Sequence, residues 1–148
     1  MAGHHRRVLV VEDDDVGREL LVSTLRHRFL DVDEAADGQQ ALELLRQNHY
    51  GVILVDLLLP KVDGFGVIEA IDPADYPPIV IVVTGADRHL LDRIDPRKIH
   101  GVVKKPFDPQ DVADVVAACA EIRGRGSLDT MAYASILTGG SLIALLNM

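Results

Sequence analysis

The sequence predicts an α/β fold built on a doubly wound parallel sheet, and three observations support this prediction. Short runs rich in valine and isoleucine recur with almost no polar alternation, which is typical of strands covered on both faces. Segments with helical periodicity separate these runs. Strand and helix alternate along the chain, which is the pattern of βαβ units with right-handed crossovers and helices on both faces.

Each element can be placed by its own pattern. The predicted strands are Val8–Val11, Leu30–Glu34, Val52–Val55, Ile79–Val83 and Gly101–Val103. The predicted helices are Asp14–Arg28, Gln39–Asn48, Phe65–Ile71, Ala86–Ile94 and Val112–Ile122. The second strand alternates between apolar and acidic residues, so we expect it at an edge of the sheet. The last helix carries the clearest apolar face, with buried-type residues at i, i+3, i+4 and i+7.

Composition limits the classes of function. The chain has 148 residues, 48% of them hydrophobic and 26% charged, which suits one globular domain. Its net charge of −8 argues against direct binding to nucleic acid. It has no basic amphipathic helix, no signal-peptide core and no apolar run of about 18 residues, so we expect no membrane contact and a cytoplasmic location. A single cysteine, Cys119, excludes an intrachain disulfide.

The chain divides into a domain over residues 1–123 and an apolar tail over residues 124–148. From Leu128 onward the tail carries one charged residue, Asp129, and the whole tail is too short to be a domain. Three interpretations of the tail stay open: a linker to an output module, an extra helix or oligomerisation element that would support a homodimer, and a frayed end.

Polar residues follow the apolar runs at the points where the strands should end. Glu12 and Asp13 follow the first strand, Asp56 the third, Thr84 the fourth, and Lys105 the fifth. In open α/β sheets, ligands bind at the carboxyl ends of the strands, so we expect these side chains to meet at one rim.

Carboxylates that meet at one rim repel each other and require a cation. Oxygen ligands without histidine or cysteine suit a hard ion, with Mg²⁺ first and Mn²⁺ or Ca²⁺ as alternatives. A carboxylate can also act as a nucleophile toward phosphorus. Phosphoryl transfer then needs alignment and charge neutralisation, which the cation and a lysine ammonium can supply.

Four motifs in order resemble the receiver domain of two-component response regulators. They are VLVVEDD (Val8–Asp14), VILVDLLLPKVDG (Val52–Gly64), IVVTGA (Ile81–Ala86) and VKKPF (Val103–Phe107). With their spacings they cover residues 8 to about 122. The resemblance, to the chemotaxis-regulator-like type, implies a flavodoxin-like (βα)5 fold whose five parallel strands lie in the order 2-1-3-4-5.

The resemblance also assigns roles to the rim. It implies that Asp56 is the phosphoacceptor and that Glu12, Asp13 and Asp56 hold Mg²⁺. The backbone carbonyl of Leu58 would be a further metal ligand.

The remaining roles fall near the ends of the fourth and fifth strands. Lys105 would pair with the phosphoryl group, Thr84 would move toward it, and Lys105–Pro106 would be a cis peptide. The donor would be a sensor histidine kinase or a histidine phosphotransfer protein, and a downstream protein target would read the altered surface. On this interpretation the chain is not an enzyme beyond its own phosphotransfer and autodephosphorylation.

Three departures from the family pattern stand out. Val102 occupies a position where the family commonly has an aromatic residue, so output cannot use an aromatic rotamer. Leu58 and Ala86 are apolar where relatives carry groups that orient water, which implies an altered rate of phosphoryl loss. Pro96 interrupts the fourth helix, so the signalling surface is expected to differ.

Three other classes of function can be compared with these motifs. A phosphorylation-independent receiver-like interaction module stays open, because Val102 and the tail are unusual. An aspartyl phosphohydrolase would need an acid two residues after its nucleophile, and that residue is Leu58. A nucleotide-binding fold would need a glycine-rich loop after the first strand, where this chain has EDDDV.

Several polar residues near the motifs are expected to be structural. Asp14, Asp15 and the Asp63–Gly64 pair suit helix caps and turns. Lys104 is expected to be a surface charge and Cys119 a core residue. The six histidines show no convergent spacing, and we expect them on the surface.

Overall fold

The computed structural model describes residues 4–71, 77–85, 88–124 and 142–145. A single 3₁₀ turn, His4–Arg6, precedes the first strand. The strands are β1 (Arg7–Val11), β2 (Asp31–Ala35), β3 (Val52–Val55), β4 (Ile79–Thr84), β5 (Gly101–Lys104) and β6 (Leu142–Leu145). The helices are α1 (Asp15–Arg26), α2 (Gly38–Gln47), α3 (Gly64–Glu69), α4 (Arg88–Leu91) and α5 (Pro109–Gly124).

The first five strands form a parallel sheet in the order β2-β1-β3-β4-β5, which confirms the predicted fold. The register places Val11 of β1 opposite both Ala35 of β2 and Val55 of β3. The central strands therefore end level with one another. This alignment places the residues that follow them at one rim.

The core has two layers because the strands are buried on both faces. Side chains that alternate along β1, β3 and β4 separate into two clusters, one facing α1 and α5 and the other facing α2 and α3. Val8 and Val10 belong to the first cluster, while Leu9 and Val11 belong to the second. The near-continuous apolar runs therefore reflect strands that are buried on both faces, as the sequence predicted.

Aspartates begin three of the helices. Asp14, Asp37 and Asp63 each accept a hydrogen bond from the backbone N–H three residues later, at 2.8 to 3.0 Å. These bonds satisfy donors that the first helical turn leaves unpaired. The structural interpretation of Asp14 and of the Asp63–Gly64 pair is confirmed.

Helix α4 is shorter than predicted. Residues 86 and 87 lie outside the described residues, and the helix ends at Leu91 instead of Ile94. The backbone N–H groups of Arg93 and Ile94 donate to carbonyls three residues back, at Leu90 and Leu91. Such bonds tighten the chain into a 3₁₀-type turn and end the α-helix.

The sixth strand is a finding that the sequence analysis did not anticipate. Residues Leu142–Leu145 pair antiparallel with β5, with Gly101 opposite Leu145 and Val102 opposite Ala144. The register shifts between Val102 and Val103, as at a β-bulge. Part of the apolar tail thus extends the sheet beyond β5.

The expectation that all six histidines lie on the surface is wrong for His100. This side chain is half-buried, and its Nδ1 accepts a hydrogen bond from the backbone N–H of Val80 at 3.0 Å. Burial, and then the charge of Arg123, lower the pKa of His100. His4 is also partly buried, and burial lowers its pKa.

Cys119 is fully buried in the core, as predicted.

Among the described residues, no helix is both long and apolar enough to span a lipid bilayer.

His100 makes stability depend on pH. Its pKa in the folded chain lies below the ordinary value of 6.5, so the unfolded chain binds the proton more readily. The contribution of His100 to the free energy of unfolding should be fully present above about pH 6.5. It should fall as the pH drops from there toward the folded pKa. Urea unfolding of wild type and of His100→Ala at about pH 7.5 and pH 5.5 measures this loss.

The variant should be less stable at the higher pH by about 1–3 kcal/mol, because the Val80 N–H loses its acceptor. The variant should also lose less stability on acidification than wild type. Part of the stability that it still loses is due to His4. His89→Ala, at an exposed histidine, is the matched control and should leave both values unchanged. Equal pH dependence in wild type and His100→Ala would refute the assignment.

Candidate functional site

Backbone hydrogen bonds continue past the strand ends and fix the rim. The N–H of Asp56 donates to the carbonyl of Val11 at 3.1 Å, and the N–H of Glu12 donates to Ala35 at 3.1 Å. The ladder therefore positions the backbone of both acidic residues.

The structure brings the three predicted acidic residues together. One carboxylate oxygen from each of Glu12, Asp13 and Asp56 lies within 4.8 Å of the others. Glu12 and Asp56 are buried, with 8% and 5% of their surface exposed, while Asp13 is open to solvent. Among the described residues, this is the cluster of histidine, cysteine and acidic side chains close enough to hold a metal ion.

Lys105, the residue that follows β5, joins the cluster. Its N–H donates to the carbonyl of Thr84 at 3.0 Å, and its Nζ hydrogen-bonds to Oδ2 of Asp56 at 2.7 Å and to Oε1 of Glu12. The peptide bond from Lys105 to Pro106 is cis, as predicted. Lys104 is exposed, which agrees with its interpretation as a surface charge.

Burial and charge shift the pKa values of the paired groups. Burial raises the pKa of Glu12, and the nearby charge of Asp56 acts in the same direction, against the hydrogen bond from Lys105. Burial alone would lower the pKa of Lys105, but its hydrogen bonds to Asp56 and Glu12 prevail and raise it. The lysine is therefore held as an ammonium between two buried carboxyl groups.

Both oxygens of Asp56 have hydrogen-bond donors. Oδ2 accepts from Lys105, and Oδ1 accepts from the backbone N–H of Leu58 at 3.1 Å. The side chain of Leu58 is 55% exposed beside the cluster. Thr84 is buried at the carboxyl end of β4, which pairs with β3, the strand that Asp56 follows. Of the expected apolar neighbours, Ala86 lies outside the described residues.

The donor chemistry of the cluster fits a divalent cation. Three carboxylates and one ammonium leave these four side chains with a formal charge of two negatives when all are ionised. The available ligand atoms are carboxylate oxygens, which suit Mg²⁺. Glu12, Asp13 and Asp56 are the residues that would hold it.

Arg18 is a site residue that the sequence analysis missed. From the first turns of α1, its Nη1 donates to the backbone carbonyl of Glu12 at 2.8 Å. Its other guanidinium nitrogens donate to Glu34 at 3.1 Å and to Asp15 at 2.7 Å. Only 14% of the Arg18 side chain is exposed. The guanidinium thus fixes the segment that carries both acidic residues after β1.

Gly64 permits the close approach of α3 to the Asp56 loop. A Cβ at this position would lie 2.1 Å from the backbone carbonyl oxygen of Asp56. The N–H of Gly64 donates to the carbonyl of Leu57 at 2.9 Å. The glycine in the PKVDG motif therefore has a packing role beside the site, in addition to its place after a helix cap.

This α/β domain has an acidic pair, a buried aspartate and a lysine at one rim. Most of the chain matches a known protein family. The sequence model of the family described as "Response regulator receiver domain" matches residues 8–117. The transcriptional regulatory protein SrrA of Staphylococcus aureus is 33% identical over 106 residues. The match covers 71% of this chain and 44% of SrrA, so the chain spans less than half of that relative. The chain belongs to the response regulator receiver domain family of two-component systems.

Solved structures share the fold. The response regulator TrrA of Thermotoga maritima, described in complex with Mg(2+)-BeF, matches with a TM-score of 0.66 and 25% identity over 76% of this chain and 97% of that one. A second solved structure that matches is the co-crystal of the histidine phosphotransfer protein Ypd1 and the receiver domain of Ssk1 from Saccharomyces cerevisiae. It matches with a TM-score of 0.68 and 20% identity, over 86% of this chain and 95% of the matched chain.

Arg18 should act on metal affinity by positioning Glu12 and Asp13. Replacing it with methionine, Arg18→Met, removes the donor to the Glu12 carbonyl and keeps a side chain of similar length. We expect Mg²⁺ affinity to fall on the order of tenfold, as for other groups that orient metal ligands. Isothermal titration calorimetry with Mg²⁺ measures the change.

Arg26→Met is the matched control for this experiment. Arg26 lies on the same helix and also donates to a backbone carbonyl, that of Val32, but not at the rim. Its variant should bind Mg²⁺ like wild type. If the two variants lose affinity equally, Arg18 acts through the stability of α1 and not through the site.

Proposed function

We propose that this receiver domain accepts a phosphoryl group on Asp56 with the help of Mg²⁺ and then changes the surface it offers to a downstream protein. The donor is a phosphohistidine on a sensor histidine kinase or a histidine phosphotransfer protein. The observation that carries the proposal is the position of Asp56, buried at the rim between Lys105 and the acidic pair.

The proposed step is the displacement of an imidazole from phosphorus. An oxygen of Asp56 forms a new bond to the phosphorus atom, the bond from phosphorus to the histidine nitrogen breaks, and its electron pair returns to the imidazole. Two hydrogen bonds hold the Asp56 carboxylate before the donor arrives, at Oδ1 from Leu58 and at Oδ2 from Lys105. Such prior orientation lowers the entropy cost of the reaction.

Charge neutralisation accounts for the rest of the site. Mg²⁺ bound by the acidic cluster would offset the negative charge of the phosphoryl oxygens. Lys105 would exchange its bond to Asp56 for one to a phosphoryl oxygen, and the Thr84 hydroxyl would donate another. The carbonyl of Leu58 would complete the protein ligands of the metal, as the family pattern implies.

The switch would begin at the residues that change partners. A phosphoryl group adds negative charge beside Thr84 and Lys105, which end β4 and follow β5. Movement there would be passed to α4 and the outer strands. Val102 is buried in β5 and has no aromatic ring to rotate, so the response would come from the backbone and the loops. On this proposal the chain acts only on its own phosphoryl group.

No observation among the described residues favours the phosphorylation-independent module. The acidic pair, the acceptor, the threonine and the lysine are present at the same rim, and the ammonium contacts the acceptor directly.

Exposed apolar side chains on α1 support the proposal that the phosphoryl donor protein docks beside the acidic pair. Val16 and Leu20 lie one turn apart and are 75% and 54% exposed, and Leu58 across the rim is 55% exposed. Large apolar side chains exposed together often mark a protein contact. The co-crystal of Ypd1 with the Ssk1 receiver domain gives a precedent for a donor of this class.

Phosphorylation of Asp56 can be measured directly by intact mass. Incubation with acetyl phosphate and Mg²⁺ should add one phosphoryl group to wild type, and omission of Mg²⁺ should abolish the gain. Asp56→Asn should show no gain, while Asp63→Asn, at an acidic helix cap of the same loop, should be modified like wild type. A gain that persists in Asp56→Asn would place the acceptor elsewhere.

Donor docking can be separated from the chemistry. The double variant Val16→Ala and Leu20→Ala should accept phosphoryl groups from a histidine phosphotransfer protein about tenfold more slowly, because the docking contact is lost. Its reaction with acetyl phosphate should be unchanged. Phe29→Asn, which removes an 88% exposed apolar side chain three residues beyond the end of α1, should leave both rates unchanged. Equal slowing of both donors in the double variant would contradict the docking role.

A further inference from the structure

The described part of the sheet has two outer strands, β2 and β6, with opposite characters. An outer strand presents unpaired backbone donors and acceptors to another strand. Proteins commonly guard such an edge with charged residues or proline. The two edges of this sheet can therefore be compared for their ability to pair with a strand of another molecule.

The edge formed by β2 is guarded by acidic residues. Three of its five residues are acidic, namely Asp31, Asp33 and Glu34. Arg7 reaches Asp33 at 3.0 Å, and Arg18 reaches Glu34 at 3.1 Å. A second copy that paired with this edge would bring like charges together and disturb these ion pairs.

The edge formed by β6 has no such guard. Its sequence, LIAL, contains no charge, no proline and no glycine. One of its sides is paired with β5, and the opposite side of the backbone remains as the edge of the described sheet. Between two identical copies, a neutral strand introduces no repulsion of its own, although each chain carries a net charge of −8.

We propose that two copies of this chain associate through their β6 strands, paired antiparallel about a twofold axis, so that their sheets become continuous. An antiparallel pair of identical strands is self-complementary, because each hydrogen bond is made twice. Four residues a side make a small contact, so the dimer is weak, micromolar or weaker. Screening by salt strengthens it, because the two chains have the same charge.

Two neighbouring proline variants test the strand pairing. Residues 144 and 145 lie beyond the register shift and pair in regular register with Val102 and Gly101. In a regular strand, successive N–H groups point to opposite sides, so one of these two residues donates toward β5 and the other away from it. Proline removes that donor, and an edge strand tolerates it on the open side. Ala144→Pro and Leu145→Pro should therefore behave differently, and Thr138→Pro, which leaves residues 142–145 unchanged, is the control.

The measurements are molar mass by light scattering across a concentration series and amide hydrogen exchange at Gly101–Lys104. Wild type and Thr138→Pro should dimerise at high concentration, more strongly as salt is raised. One β6 variant should become monomeric with its β5 amides still protected, and the other should lose both the dimer and the protection. Asp56→Asn should dimerise like wild type, so this test is independent of the phosphorylation proposal.

Three results would overturn the proposal. The first is a wild type that stays monomeric up to the millimolar concentrations used for NMR. The second is a dimer that survives both β6 prolines, which would place the interface on another face. The third is loss of the dimer and of β5 protection together in both variants, which would indicate exchange of β6 between copies.

Discussion

The Lys105 ammonium between the carboxylates of Glu12 and Asp56 is the interaction on which the site depends. Strand pairing places the two acidic residues side by side at the rim and buries them, at a cost that one cation offsets only in part. The raised pKa of Glu12 reflects that incomplete compensation. With Asp13 at the open side of the cluster, the arrangement favours a further positive charge. The proposed Mg²⁺ would supply that positive charge and would have to do so before a negatively charged phosphoryl group could be accepted.

The same constraint explains how the proposed switch and the fold are linked. Lys105 follows β5 directly, and its backbone N–H is bonded to Thr84 at the end of β4. A change in the charge on Asp56 therefore acts on two adjacent strands through one side chain. Strand β6 pairs with β5 on its other side, so the edge of the sheet lies one strand away from the site. The chemistry and the proposed dimer contact use different parts of the same sheet.

Much of the fold and site was predictable because both depend on patterns local in sequence. The apolar run Val52–Val55 and the acidic residue after it are neighbours in the chain. The family resemblance assigned Lys105 to the same site, although 93 residues separate it from Glu12. The contact of Arg18 was not predictable, because its acceptor is a backbone carbonyl that leaves no trace in side-chain type. Likewise, β6 is four apolar residues whose strand conformation is defined by pairing with β5.

The most direct test of this account is the Mg²⁺ affinity of wild type, Asp13→Asn and Asp14→Asn, measured by calorimetry. Asp13 belongs to the acidic cluster, whereas Asp14 caps α1 and asparagine caps equally well. We expect one Mg²⁺ to bind per chain in wild type, the affinity to fall at least about tenfold in Asp13→Asn, and the affinity to stay unchanged in Asp14→Asn. Equal affinity in all three proteins would contradict it, since the cluster would then not be the metal site.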